Sequence, residues 1–379
     1  MRVSRAFVVG LCLIVAPACT SSESPLSPAT GGGPSLTISA PTADSPAEAA
    51  QLSTLRPTLV VKNGASKQSG VKVYEFQVSD KIDFSAAASN SWAAFTVLAH
   101  KSNIPEGAGG TTSYTPDFDL QPTTRLYWRA RMLVDGAASE WSATRSFNTA
   151  LVGYNRPGEL YDPLGNGSTV GVAVGSTTFV SGKGIKLNDG NAYVRYQLAQ
   201  PLPAGEFSME VEGLRPNGGG PKMRVFSMSD STYDVYRSPY LMVAQYRGVN
   251  GNPDNCIAFK VLMGDPFLKL EPDFGARAAA VMSLDPARTY FWKGTWSNGF
   301  TLVVKDGING PTLYNYGQTA LEMTGQNAVY NPTPHFAYLG ANNAPYGEED
   351  GSFPGATYRN VWISNKPRPA SLGSALDPR

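Results

Sequence analysis

From about residue 35 onward, apolar and polar residues alternate with a period of two in short runs. "PTLVVKNG", "VYEFQVSD" and "LYWRARMLVDG" come first, and then "YVRYQL", "EFSMEVEGL", "KMRVFSM", "YLMVAQYRG", "AFKVLMG", "YFWKGTW", "FTLVVKDG", "HFAYLG" and "TYRNVWIS". Alternation sends successive side chains to opposite faces of a pleated strand, so each run reads as a strand buried on one side. Turn dipeptides punctuate the runs: Asn63-Gly64 and Asp135-Gly136 early, then Asn-Gly at Asn166, Asn217, Asn250, Asn298 and Asn309 and Asp-Gly at Asp189, Asp306 and Asp350. Asn-Gly and Asp-Gly supply the positive φ of tight hairpins. "GARAAAVMSLD" has helical propensity, but its neighbours favour a strand or short crossover. The pattern predicts an all-β chain with an antiparallel sandwich over 35–150 and a larger two-sheet jelly roll over 151–366.

The start departs from this pattern. "MRVSRAFVVGLCLIVAPACTSSESPLSPATGGG" carries Arg2 and Arg5, an apolar run from Ala6 to Ala18, then small residues. The run is too short to span a bilayer and has the form of a secretory signal over 1–18. The expected location is therefore the cell envelope, or outside the cell. Residues 19–34, rich in Ser, Pro, Thr and Gly, read as a disordered tether, and 367–379 as a C-terminal tail.

Composition narrows the function. Lys plus Arg number 31 against 30 Asp plus Glu, so no overall field gathers polyanions, and nucleic acid is not an expected partner. With 39 Gly, 29 Pro and 16% charged residues, the chain favours tight turns over long solvated helices. Once the signal is removed, only Cys19 and Cys256 remain of the 3 cysteines. If Cys19 is modified, no internal disulfide can form.

Several stretches resemble known families. "VAPAC" resembles the lipobox of bacterial lipoproteins, which implies acylation of Cys19 and a membrane contact through lipid, as in an outer-membrane lipoprotein. Ala16-Pro17-Ala18 also fits simple secretory cleavage. "LQPTTRLYWRARMLVDGAASEWSATRSFNT" resembles the last strands of bacterial fibronectin type III domains, with Leu120 and Tyr127 at the tyrosine corner and Glu140-Trp141-Ser142 on the final strand. The resemblance implies a spacer or adhesion module. "YFWKGTWSNGFTLVVKDG" and "AYLGANNAPYGEEDGSFPGATYRNVWISN" are similar to the paired and closing strands of concanavalin A-like, laminin-G-like sandwiches.

The chemistry to be placed is sparse. No zinc, dinucleotide or phosphate-loop motif is present. "EFSMEVEG" offers Glu206, Glu210 and Glu212, but lacks the further acid expected of a retaining glycosidase strand. Jelly-roll lyases pair a base with Arg or Gln groups that neutralise a uronate. A resemblance to them brings in Arg224, Gln245, Arg247, Lys293 and His335, although Arg247 replaces their His and Trp292 displaces Lys293. His335 otherwise reads as a strand-start residue. Tyr290, Trp292 and Trp296 share one face and form either a sugar platform or core, and Tyr346 is a further aromatic. Glu349 and Asp350 read as a solvated turn or as ligands to Ca2+, the one cofactor suggested. Three function classes follow: a binder of extracellular polysaccharide or a surface partner, a polysaccharide lyase or glycoside hydrolase, and a structural envelope protein.

Overall fold

A computed structural model describes residues 38–85, 97–216, 222–230, 240–247, 256–263, 269–270, 280–297, 299–319, 333–341 and 350–377. The signal, Cys19, Tyr346 and Glu349 lie outside these residues. The described chain is built of β-strands with two single 3-10 turns, and among its residues no helix is long and apolar enough to cross a membrane.

The smaller sandwich faces a three-stranded sheet (Thr42–Ser45, Leu59–Lys62, Thr111–Tyr114) with a six-stranded one centred on Lys72–Ser79 and Arg125–Val134. Alternation decides what is core. Along Arg125–Val134 every second residue is buried: Leu126, Trp128, Ala130, Met132 and Val134. Trp128 stacks on Phe76 at 6.4 Å between ring centroids. The intervening residues lie on the outer face, where Arg129 and Arg131 sit over Trp141 at 4.3 and 4.5 Å. Arg131 also donates to Glu75 at 2.6 Å. Tyr127 shares this outer parity and is half-buried, whereas Leu120 is core. Asp135 and Gly136, both at positive φ, turn the hairpin from Arg125–Val134 to Ala137–Ala138. Asn63-Gly64 makes no hairpin, because Leu59–Lys62 pairs instead with Thr42–Ser45 and Thr111–Tyr114.

The larger sandwich consists of two nine-stranded sheets. One runs Tyr154–Arg156, Glu159–Asp162, Thr357–Ser364, Gly205–Glu212, Thr289–Ser297, Gly299–Asp306, Thr312–Thr319, and is called the first sheet below. The other, the second sheet, runs Val172–Val174, Tyr193–Gln197, Phe336–Gly340, Lys222–Ser229, Tyr240–Arg247, Cys256–Met263, Lys269–Leu270. Between them lies one continuous core that includes Phe207, Met209, Trp292, Phe300, Phe226, Phe259 and Leu339. Each such side chain contributes about 1.5–3 kcal/mol by leaving water. Thr357–Ser364 closes the first sheet from its middle, with Phe353, Tyr358 and Trp362 all buried. Within "GARAAAVMSLD", Ala280–Val281 forms a short strand against Cys256–Met263.

The residues after the last strand do not trail away as a tail. Arg368 donates from its backbone N–H to Glu206 at 2.7 Å and from its guanidinium to the carbonyls of Asn360 and Leu372 at 2.7 and 2.9 Å. Ser374 accepts from the Arg125 N–H at 2.9 Å, and the Ala375 N–H reaches the Thr123 carbonyl at 3.2 Å. Leu372 packs with Tyr161 and Trp362. The segment thus straps the smaller sandwich to the first sheet of the larger one.

Candidate functional site

A row of polar and aromatic residues lies on the face of the second sheet turned away from the core. Phe226 and Met228 point into the core, so Ser227 and Ser229 take the other face. Pairing then sets a row across strands: Arg195 opposite Tyr338, Tyr338 opposite Ser227, Ser227 opposite Val243, and Val243 opposite Lys260. Tyr193 belongs to the same face, its ring 6.1 Å from that of Tyr338 and tilted by 57°.

Residues on the outside of a sandwich are usually wet. Here Ser227, Ser229, Arg224, Tyr338 and Tyr193 are buried although they face away from the opposite sheet, and Arg195 is half-buried. Among the described residues the Ser227 hydroxyl has no hydrogen-bond partner. A buried hydroxyl without a partner costs roughly 1–3 kcal/mol. Burial raises the Tyr338 phenol above its usual value, opposed by a hydrogen bond with Ser229 and by the Arg195 charge. The phenol is therefore neutral at physiological pH.

The structure separates the residues that the sequence grouped together. Tyr290, Trp292 and Trp296 are 3%, 0% and 1% exposed and belong to the inter-sheet core, so they form no sugar platform. Trp296 donates its indole N–H to the Leu202 carbonyl at 2.8 Å, and the Tyr290 hydroxyl accepts from the Asp285 N–H at 2.7 Å. Lys293 lies on the outer face of the first sheet, across the core from Arg224, and pairs with Glu206 at 2.7 Å. It cannot act on the same bond as Arg224. His335 is exposed and immediately precedes Phe336, which pairs with Ser229; its own N–H reaches the Ser229 carbonyl at 2.9 Å. Arg224 is five positions back along that strand, about 16 Å away at strand rise, so His335 and Arg224 do not flank one substrate bond. Arg224 and Gln245 are cross-strand partners, and Arg247 pairs with Cys256 one strand further on. The lyase grouping therefore survives only as the Arg224, Gln245 and Arg247 positions.

The acids are tied up as well. Glu210 accepts from Arg359 at 2.9 and 2.7 Å and from the Asn360 amide at 2.8 Å, while Glu212 pairs with Lys183 at 2.8 Å. Neither is a free acid for glycoside hydrolysis. Asp350 opens the short strand Asp350–Ser352, which pairs parallel with residues 222–224 of Lys222–Ser229. Among the described residues no three His, Cys, Asp or Glu side chains gather as metal ligands.

Two cavities lie where the sandwiches meet. One of about 150 Å³ is lined by residues including Asp80, Arg125, Tyr127, Glu210 and Asp377. Another of about 430 Å³ is lined by residues including Leu55, Gln121, Tyr154, Arg156 and Leu372. Both are bounded by the C-terminal strap.

No family model matches the sequence, and no curated protein matches it. Among solved structures, the carbohydrate recognition domain of Emp47p gives 11% identity over 54% of this chain and 94% of that one, with a TM-score of 0.35. The carbohydrate-binding module CBM66 from Bacillus subtilis gives 10% identity over the same shares, with a TM-score of 0.28. The FN1–FN3 domains of chicken CNTN1 give 8% identity over 75% of this chain and 67% of that one, with a TM-score of 0.21. Scores this low leave the architecture to be read from the strand pairing itself.

Sequence reasoning missed Tyr193, Arg195, Ser227 and Tyr338. Their alternation within "YVRYQ", "KMRVFSMS" and "FAYLG" was visible. What was not visible is that Arg195 and Tyr338, far apart in the chain, become neighbours.

Proposed function

We propose that the larger sandwich binds extracellular polysaccharide on the outer face of its second sheet. The chain in this reading is exported and anchored through lipid on Cys19, with the smaller sandwich as spacer. One observation carries the binding reading: strand register sets Tyr193, Arg195, Tyr338 and Ser227 in one polar and aromatic row on the face of the second sheet turned away from the core. Sugars need aromatic faces to stack on and a few fixed donors and acceptors, and this row offers both. The full chain is to be run through gels containing individual polysaccharides. Retardation that is lost in Tyr193→Ala with an unchanged melting temperature supports the reading, and no retardation by any polysaccharide sinks it. The register of Arg224 with Gln245 keeps β-elimination as a second reading. Appearance of an unsaturated uronate product in the same samples would establish it. Palmitate labelling that disappears in Cys19→Ala tests the anchor.

A further inference from the structure

Three Asn-Gly pairs lie among the described residues: Asn63-Gly64, Asn166-Gly167 and Asn309-Gly310. Asparagine before glycine is open to attack by its own backbone, because glycine has no Cβ to shield its nitrogen from the preceding side chain. The attack needs an Asn amide free to swing onto that nitrogen. The fold treats the three amides differently.

Asn63 is held at both ends of its amide, donating to the Gly107 carbonyl at 3.2 Å and accepting from the Thr112 hydroxyl at 2.7 Å. Asn166 is held likewise, donating to the Leu151 carbonyl at 2.8 Å and accepting from the Ser168 N–H at 3.1 Å. Both are half-buried. Asn309 is exposed in the turn between Gly299–Asp306 and Thr312–Thr319, and among the described residues its amide makes no hydrogen bond. The glycine N–H groups do not separate the sites, since each is engaged: Gly64 with the Tyr74 hydroxyl at 3.1 Å, Gly167 with the Leu164 carbonyl at 3.4 Å and Gly310 with the Gly307 carbonyl at 3.2 Å.

We infer that Asn309 is a site of spontaneous deamidation. The Gly310 nitrogen, having given its proton to solvent base, bonds to Cγ of Asn309; the Cγ–Nδ2 bond breaks and ammonia leaves. Water then opens the resulting succinimide at either carbonyl, which yields aspartate or isoaspartate. The new carboxylate arises on a residue that lines the cavity of about 150 Å³ together with Asp80, Glu210 and Asp377. The junction of the two sandwiches thus gains a further acid as the protein ages.

The test keeps the folded full chain in mildly alkaline buffer and follows the peptides carrying Asn63, Asn166 and Asn309 by mass spectrometry, with chain unfolded in guanidinium chloride as reference. The Asn309 peptide should gain the mass difference between an amide and a carboxyl, as a mixture of aspartate and isoaspartate. Its rate should exceed those of Asn63 and Asn166 by at least about tenfold, the factor set by breaking the two hydrogen bonds that hold each of their amides. In the unfolded chain the three rates should draw together. Equal rates in the folded chain overturn the inference, as does conversion at Asn63 or Asn166 ahead of Asn309. An Asn309 that stays intact in the folded chain while the unfolded chain converts overturns it too, since the turn would then protect the amide.

Discussion

Asp162 is almost fully buried at the edge where the two sheets of the larger sandwich approach each other. It accepts hydrogen bonds from the Thr169 hydroxyl at 2.5 Å, the Val170 N–H at 3.0 Å, the Tyr196 hydroxyl at 3.1 Å and the Leu164 N–H at 3.3 Å. Even so, burial outweighs these donors and pushes the carboxyl from 3.8 up to about 6. The folded state therefore holds the proton more tightly than the unfolded chain. The resulting stability is fully present below about pH 4 and is lost as pH rises through about 6. A rise of about two pH units, at about 1.36 kcal/mol each, amounts to roughly 3 kcal/mol. Asp162→Asn removes the titration and adds a pH-independent cost, because its amide confronts donors. Urea unfolding of the larger sandwich, for wild type and variant from about pH 4 to about pH 8, isolates the effect. The stability of wild type minus variant should fall by about 2–3 kcal/mol over that range. A difference that stays flat, or that grows with pH, refutes the claim that burial dominates at this carboxyl.

Trp292→Ala should cost about 3–5 kcal/mol in denaturant unfolding while leaving polysaccharide retardation of the folded protein unchanged; weaker binding at equal folded fraction would return Trp292 to the site. Arg359→Met strands Glu210 and should cost about 3–5 kcal/mol. Adding Glu210→Gln should recover most of that loss in calorimetry, and no recovery would mean that Arg359 acts by packing alone. Truncation after Asn365 removes the strap, so differential scanning calorimetry should resolve two melting transitions where the full chain shows one; an unchanged profile would show that the sandwiches do not depend on it.

The strand content of this chain was legible because alternation is a local property. "YFWKGTW" forms Thr289–Ser297, and Asp306-Gly307 opens the turn into Thr312–Thr319. Whether the Tyr290, Trp292 and Trp296 face was core or surface was not legible, since parity fixes which residues share a face but not what that face meets. Lys293 was misplaced for a related reason: its strand belongs to the sheet opposite Arg224, and sheet membership depends on pairings remote in sequence. The strap was read as a tail because its hydrogen bonds come from backbone, from Arg368 and from serine hydroxyls such as Ser374, none of which leaves a periodic signature.

The last strand, Thr357–Ser364, lies in the middle of its sheet, between Glu159–Asp162 and Gly205–Glu212. Partners from the beginning and the middle of the domain must wait for it, so the sheet cannot close while the chain is still being made. Such long-range pairing slows folding. An N-terminal fragment of this sandwich that ends before Thr357 lacks the strand that joins its two halves. The order of strands thus leaves the first sheet in two unjoined parts until Thr357–Ser364 has been made.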